Sequence, residues 1–389
     1  MSVVLLVAAI VLCFAASWIL LPPFIFVLVL LTLGVPELAP WFLTLSLATG
    51  ALAYRWSAFD QTARMALYLA LASAVLFAYP LVRVPFAIRG FDRAMREGLG
   101  SGYEQQMSSV ARLEMRTHVF SPLDFVRGIA ERDIEIRRRI EFARPGGMPL
   151  TLDVYRPRSA GVHPVLVQLY GGAWRGGSTE DNASFASWAA SRGYVVVAPS
   201  YRLAPRSAWP AQIEDVRAAL AWIVTHASEL GADTQRVALI GRSAGAQLAL
   251  VAAYQNAALV RAVISFYGPT NLLEGWREPP SPDPIDTRGV LEPFLGGAPD
   301  RVPDAYRDAS PVTYVNARVP PTLLIYGSRD KIVEPRFGRE LHDRLRAAGA
   351  RSVLLEIPWA DHAFDLIPNG ISGQISLYYT ERFLAWALR

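Results

Sequence analysis

Ser243 lies in the run Gly241-Arg242-Ser243-Ala244-Gly245, between an apolar stretch ending at Ile240 and an alanine-rich segment that favours a helix to about Tyr254. A serine hydroxyl is a weak nucleophile at neutral pH and gains power only beside a general base that an acid orients. Strand, G-x-S-x-G and helix in that order make a sharp turn that lifts the serine Oγ clear of a sheet. Glycines two before and two after Ser243 let strand and helix approach, and the first amides of the helix point at the same spot. Alone the pattern is weak, because small residues cluster by chance in a chain rich in alanine and glycine.

The partners strengthen it. Of five histidines, His118 lies in a connecting segment, His163 precedes a strand, and His226 and His342 fall inside predicted helices. His362 alone follows an apolar strand, Val353 to Ile357, where a base belongs. Asp330 stands in Gly327-Ser328-Arg329-Asp330, just after the strand Thr322 to Tyr326. Asp361 is the rival acid, but adjacent side chains rarely meet with the geometry an Asp–His pair needs. The order Ser243, Asp330, His362 is serine, acid, base, each past a strand end. A third group completes the chemistry. Tyr170-Gly171-Gly172-Ala173-Trp174 follows the strand Val165 to Leu169, and its small residues let the amides of Gly172 and Ala173 face a developing negative charge, joined by that of Ala244. An oxyanion donor of this kind is typically worth ~3 kcal/mol of barrier height.

Loops placed this way require a sheet to hold them. Ile134 to Phe142 and Leu150 to Tyr155 alternate charged and apolar residues around Pro145-Gly146-Gly147, a hairpin signal. Apolar strands at 165–169, 194–198, 237–240, 260–266, 322–326 and 353–357 then alternate with helical segments at 182–191, 213–226, 337–347 and 371–388. Such units predict an α/β fold, a mostly parallel sheet covered by helices on both faces with an antiparallel edge. Residues 268–308 read as an irregular, proline-rich insertion, lid-like, forming a pocket wall above Ser243. Tyr170 and Trp174 are expected to bind substrate on the other side.

Composition divides the chain. Residues 1–54 carry one charged side chain, Glu37. Val3 to Leu21 is long enough to cross a bilayer core of roughly 30 Å, Trp41 to about Trp56 makes a second candidate span with tryptophans near its ends, and Met65 to Val82 a third. A short apolar helix from Phe24 is a possible fourth. A cleaved signal peptide fits poorly, since no basic region precedes the first segment and apolar segments continue far past it. The expectation is a multi-pass, all-helical anchor over 1–90, a partly helical connector over 91–130 and a catalytic domain over 131–389. Arg83, Arg89, Arg93 and Arg96 favour the cytoplasmic side for that domain by a small margin. The net charge of +4 is spread out rather than gathered into a stripe, and Lys331 is the one lysine among 38 basic residues. Codon bias toward arginine explains that better than nucleic-acid binding, which is not expected. The sole cysteine, Cys13, has no disulfide partner and speaks against a Cys/His zinc site. No cofactor or metal is expected.

From about Leu150 onward the chain resembles the α/β-hydrolase superfamily, in particular the hormone-sensitive-lipase-like and feruloyl-esterase-like (BD-FAE-like) carboxylesterases. The resemblance is carried, in order, by Tyr-Gly-Gly-Ala-Trp (170–174), Tyr-Arg-Leu-Ala-Pro (201–205), Gly-Arg-Ser-Ala-Gly (241–245), Ala-Ser-Pro-Val-Thr (309–313), Tyr-Gly-Ser-Arg-Asp (326–330) and Asp-His-Ala-Phe (361–364). It implies a serine carboxylesterase or lipase working through an acyl-enzyme, with Ser243, Asp330 and His362 as triad and Gly172, Ala173 and Ala244 as oxyanion donors. Tyr170 departs from it, since the family usually begins the oxyanion motif with histidine; an altered pocket shape is expected. The first 100 or so residues lie outside the resemblance, although membrane-anchored relatives of isoprenylcysteine methylesterase type exist. A small-molecule or lipid ester of lipophilic character and the bilayer are the expected partners. An amidase or arylformamidase on the same triad, and a non-catalytic membrane scaffold using the fold for binding, are the alternatives. Oligomeric state is not legible.

Overall fold

Short runs rich in valine, isoleucine and leucine build an eight-stranded sheet in the computed structural model, which describes residues 1–130 and 133–389. The strands are β1 (Ile134–Ala143), β2 (Leu150–Pro157), β3 (His163–Leu169), β4 (Val195–Pro199), β5 (Ala232–Arg242), β6 (Val260–Phe266), β7 (Thr322–Gly327) and β8 (Ser352–Ile357). Their spatial order is β1-β2-β4-β3-β5-β6-β7-β8. β1, β2 and β4 pair antiparallel, and every other neighbouring pair is parallel. The central strands are buried along nearly their whole length, as a sheet with both faces covered demands. The expected α/β-hydrolase fold is therefore present, with each strand displaced by only a few residues from its sequence-based range.

Two registers position the site. Leu169 pairs with Gly241, so the loop after β3 begins beside the turn after β5. Gly327 pairs with Ile357, so the loops after β7 and β8 leave the sheet together. The site thus gathers at the C-terminal ends of parallel strands, where open α/β sheets bind ligands.

Two expectations need correction. Residues 268–308 are not irregular: they fold into the short helices Leu272–Arg277, Thr287–Leu295 and Pro303–Asp308. The prolines concealed this, because Pro303 sits in a first helical turn and Pro293 lies within the helix Thr287–Leu295. The N-terminal region forms α1 (Ser2–Ser17), α2 (Phe26–Glu37), α3 (Ala39–Tyr54) and α4 (Gln61–Leu99). Only α4 is long and apolar enough to cross a membrane unaided; α2 and α3 reach that length together but meet at a 77° bend, and α1 falls short. Three full spans are thus not what the helices provide. Composition could not reveal the bend, which Pro36 and Pro40 flank.

Small residues bring α1, α3 and the first half of α4 together, with Ala9, Ala53, Ala66 and Ala70 fully buried between them. The ring of Phe42 stacks on Phe77 at 5.1 Å. α4 runs 39 residues, about 58 Å at 1.5 Å per residue, so it continues well past the expected span and absorbs the first part of the expected connector. Its C-terminal half docks on the hydrolase: Phe91 meets Tyr379 edge-on, and Tyr379 Oη donates to Asp92. The boundary expected between 130 and 131 falls at residues outside those described.

At the end of α4, Gly98 faces β8 so closely that a Cβ would stand 2.5 Å from Val353 Cγ2 and 2.6 Å from the Ser352 carbonyl oxygen. Replacing Gly98 with leucine therefore pushes α4 off the sheet edge, and the expected loss is roughly 1–3 kcal/mol, as for overpacking generally. Thermal unfolding of the detergent-solubilised protein beside Gly90→Leu, where a Cβ meets open space, measures it; equal melting temperatures would refute the contact.

Candidate active site

The turn after β5 puts Ser243 at φ 52°, ψ −121°, a conformation rarely adopted by a residue with a side chain. Its neighbours hold it there. A Cβ on Gly241 would lie 2.2 Å from the Gly245 carbonyl oxygen, and one on Gly245 would lie 2.2 Å from the Tyr170 carbonyl oxygen. The Ser243 amide donates to the Phe266 carbonyl at 2.9 Å, tying the turn to the end of β6.

From the serine a line of hydrogen bonds crosses to the loops after β8 and β7. Ser243 Oγ lies 3.1 Å from His362 Nε2, and His362 Nδ1 lies 2.7 Å from Asp330 Oδ2. The other Asp330 oxygen accepts the amides of Ile332 and Val333, each at 2.8 Å, which fixes the carboxylate with both oxygens engaged. Asp361 occupies a different place. Its Oδ1 accepts the backbone amide of His362 at 2.7 Å, so it steadies the histidine loop and leaves the ring to Asp330. Two of the other histidines are engaged elsewhere: His226 stacks on Trp222, and the ring of His342 bonds to Ser352.

Ser243 and His362 open onto a cavity of about 540 Å³. Gly172, Ala173, Trp174 and Ala244 lie on its wall. Gly172 (φ 113°) and Ala173 (φ 54°) both have positive φ, so the chain turns tightly here. Ala244 opens the helix Ala244–Gln255, and amides of a first turn have no partner within their own helix. Gly172, Ala173 and Ala244 thus border the cavity beside Ser243.

The two aromatic residues of this loop part company. Trp174 stacks on Phe294 at 4.0 Å and donates from Nε1 to Gln247, which fastens the helix Thr287–Leu295 over the cavity. Tyr170 is not on the cavity wall. Its ring stacks on Tyr201 at 4.3 Å, and Tyr201 Oη donates to the Tyr170 carbonyl at 2.9 Å. The expected substrate contact of Tyr170 is corrected to support of the loop from behind, in space that Gly177 leaves open: a Cβ there would lie 2.3 Å from the Tyr170 ring.

Residue types alone did not single out two further groups. Arg242, buried beside the serine, donates from Nε to Asp365 at 2.5 Å and lies over the rings of Phe185 and Phe266. Tyr267 donates to the same carboxylate and packs its ring 4.5 Å from that of His362. Burial, with the Asp365 charge beside it, pushes the Tyr267 hydroxyl far above its ordinary value and keeps it a donor. Arg242 and Asp365 are 123 residues apart, so no local pattern could announce the pair. The second group is four residues of α2, Phe26, Val29, Leu30 and Leu33, which form part of the cavity wall.

A strained serine on a mostly parallel sheet, facing a histidine and an aspartate from successive strand ends, defines an α/β-hydrolase. Residues 152–345 match the BD-FAE family model, so the chain carries a BD-FAE domain. It is 33% identical over 253 residues to LipM of Mycobacterium tuberculosis, a probable carboxylic ester hydrolase, covering 60% of this chain and 57% of that one. It is 34% identical over 240 residues to esterase LipC of the same organism, covering 57% and 59%. The match thus spans a little over half the length of these relatives. Among solved structures, EstE1, a thermostable carboxylesterase cloned from a metagenomic library, is 26% identical and superposes with a TM-score of 0.57, covering 75% of this chain and 97% of that one.

Asp361 yields a pH test. Burial, then the neighbouring Asp330 charge, pushes its carboxyl from 3.8 up to about 6. Between about pH 4 and pH 6 the folded chain keeps a proton that the unfolded chain has lost, so stability falls as pH rises through that window. The change is on the order of 3 kcal/mol for a shift of this size. Asp361→Asn keeps an oxygen for the His362 amide and has no proton to lose. Urea midpoints should fall more steeply with pH for the wild type than for the variant; parallel profiles would refute the raised carboxyl.

Proposed function

We propose that the chain is a membrane-attached serine hydrolase that cleaves carboxylic esters of lipophilic character. The observation that carries this reading is the unbroken line Ser243–His362–Asp330 at an apolar cavity. Support for ester chemistry comes from the named activities of LipM, LipC and EstE1. Support for lipid contact comes from residues 1–54, where Glu37 is the one charged side chain, and from the exposed apolar side chains of α1 and α4, such as Val4, Val11, Leu71 and Val75.

In the reaction Ser243 Oγ attacks the ester carbonyl while His362 Nε2 takes the hydroxyl proton. Asp330 holds Nδ1–H and stabilises the imidazolium that forms. Negative charge on the tetrahedral oxygen is met by the amides of Gly172, Ala173 and Ala244, fixed before the substrate arrives. As the carbon–oxygen bond breaks, His362 returns the proton to the leaving alcohol, and an acyl-serine remains. Water then attacks the acyl-serine with the histidine as base, and the acid and free Ser243 are released. The strained turn serves this sequence by keeping Oγ exposed and close to the first turn of the helix that follows.

Ser243→Ala should abolish labelling by a fluorophosphonate probe and lower ester kcat by a factor on the order of 10⁴–10⁶, as loss of a triad nucleophile does. Parallel rates on p-nitrophenyl esters and the matching anilides test ester against amide chemistry, with the ester expected to be preferred. A folded wild type that resists the probe would overturn the assignment.

A further inference from the structure

α2 lies against the site instead of standing apart from it. Phe26, Val29, Leu30 and Leu33 recur at the i, i+3, i+4, i+7 spacing of one helix face, and all four line the cavity that holds Ser243. Val29 and Leu33 are buried there. Phe26 and Leu30 also lie on the outer surface, each 60% exposed, so they form the rim between cavity and surroundings. The exposed neighbours at the rim, Phe24, Ile25 and Val27, are apolar as well.

Both ends of α2 are fixed to the hydrolase. Before it, the Arg329 guanidinium donates to the carbonyl oxygens of Ile19 and Leu21, and Arg329 adjoins the triad acid Asp330. At its end, Glu37 is fully buried and accepts the Ser372 amide at 2.7 Å. The one acidic side chain of the N-terminal 54 residues is thus turned inward, and no charged side chain lies on the outer surface of this region. Elsewhere the cavity is bordered by the exposed Arg175 and Asp181, so the α2 side is the apolar side of its mouth. That side is continuous in character with the exposed apolar sides of α1 and α4.

We propose that α2 is the acyl-chain wall of the substrate site and that the rim at Phe26 and Leu30 is a lateral port open to the bilayer. An ester whose acyl chain is dissolved in the leaflet slides past these two residues and presents its carbonyl to Ser243 without crossing water. The cavity, about 540 Å³, falls in the range of roughly 300–1,000 Å³ that encloses small-molecule ligands. A chain already in lipid gains little transfer energy from an apolar wall, so the advantage of the port is access. The inference deepens the reading of the site as a membrane-attached ester hydrolase and rests on it.

The test uses the full chain reconstituted in phosphatidylcholine vesicles. Rates are measured on p-nitrophenyl acetate, supplied from water, and on p-nitrophenyl palmitate, dissolved in the bilayer. Leu33→Trp fills the wall and should lower the palmitate-to-acetate ratio of kcat/KM by about tenfold or more, in the range by which apolar pockets discriminate. Leu33→Met should restore the ratio. Fluorophosphonate labelling of each variant reports a folded chain with a reactive serine. An unchanged ratio in labelled Leu33→Trp overturns the acyl wall, whereas a wild type that does not label overturns the hydrolase reading itself. For the port, a nitroxide on Leu30→Cys in a Cys13→Ser background should be relaxed by oxygen, which concentrates in lipid, and not by a water-soluble nickel chelate. Relaxation by nickel would place the rim in water, and shielding from both would mark a second protein copy there; either result overturns the port.

Discussion

Ser243 holds a backbone conformation that costs about 1–3 kcal/mol, and the contacts that prevent its relaxation also assemble the site. Gly245 brings the helix Ala244–Gln255 against the carbonyl oxygens of Leu169 and Tyr170, at the very end of β3. The close approach that forces the turn is thus the one that sets the loop after β3 beside the serine. A side chain at Gly241 or Gly245 would have to separate strand, helix and loop together. The strain at Ser243 is opposed by the packing of these elements.

Around that turn the chemistry is arranged in layers. Asp330 has both oxygens occupied, one by His362 and the other by the amides of Ile332 and Val333. Behind the histidine, Tyr267 and Asp365 link its ring to Arg242, the residue that precedes the nucleophile. His362 is therefore held from two directions, by the Asp330 carboxylate at its edge and by the tilted ring of Tyr267. The loop after β3 has support of its own kind, a Tyr170–Tyr201 stack that leaves the cavity wall to Trp174.

The parts of this design that the sequence made legible are those with local signatures. Glycine pairs, strand ends and the order of serine, acid and base each occupy a few consecutive residues, and Ser243, Asp330 and His362 could be chosen from them. What escaped has no such signature. Arg242 and Asp365 are distant in the chain, and an aromatic at 170 looks the same whether it faces ligand or a second tyrosine. The three helices within 268–308 were hidden by their prolines. α2 escaped for a different reason: an apolar helix has the same composition whether its neighbour is lipid or a protein cavity, so a segment that lines the site read as another stretch of anchor. The length of α4 was missed likewise, because arginines after Val82 suggested an end where the helix in fact continues onto the sheet.

The last helix, Ile371–Ala387, is where all of these parts meet. Its first turn receives Glu37 from α2, its middle packs Tyr379 against α4, and Gln374 and Glu381 bond Arg116 of the connecting segment. One 17-residue helix thus serves as a keystone between the N-terminal helices and the sheet. Glu37, Asp92 and Arg116 belong to segments far apart in the chain, so loosening this helix loosens α2, the end of α4 and the connecting segment together. Because α2 lines the cavity, such a disturbance reaches the wall beside Ser243 without touching Ser243, Asp330 or His362.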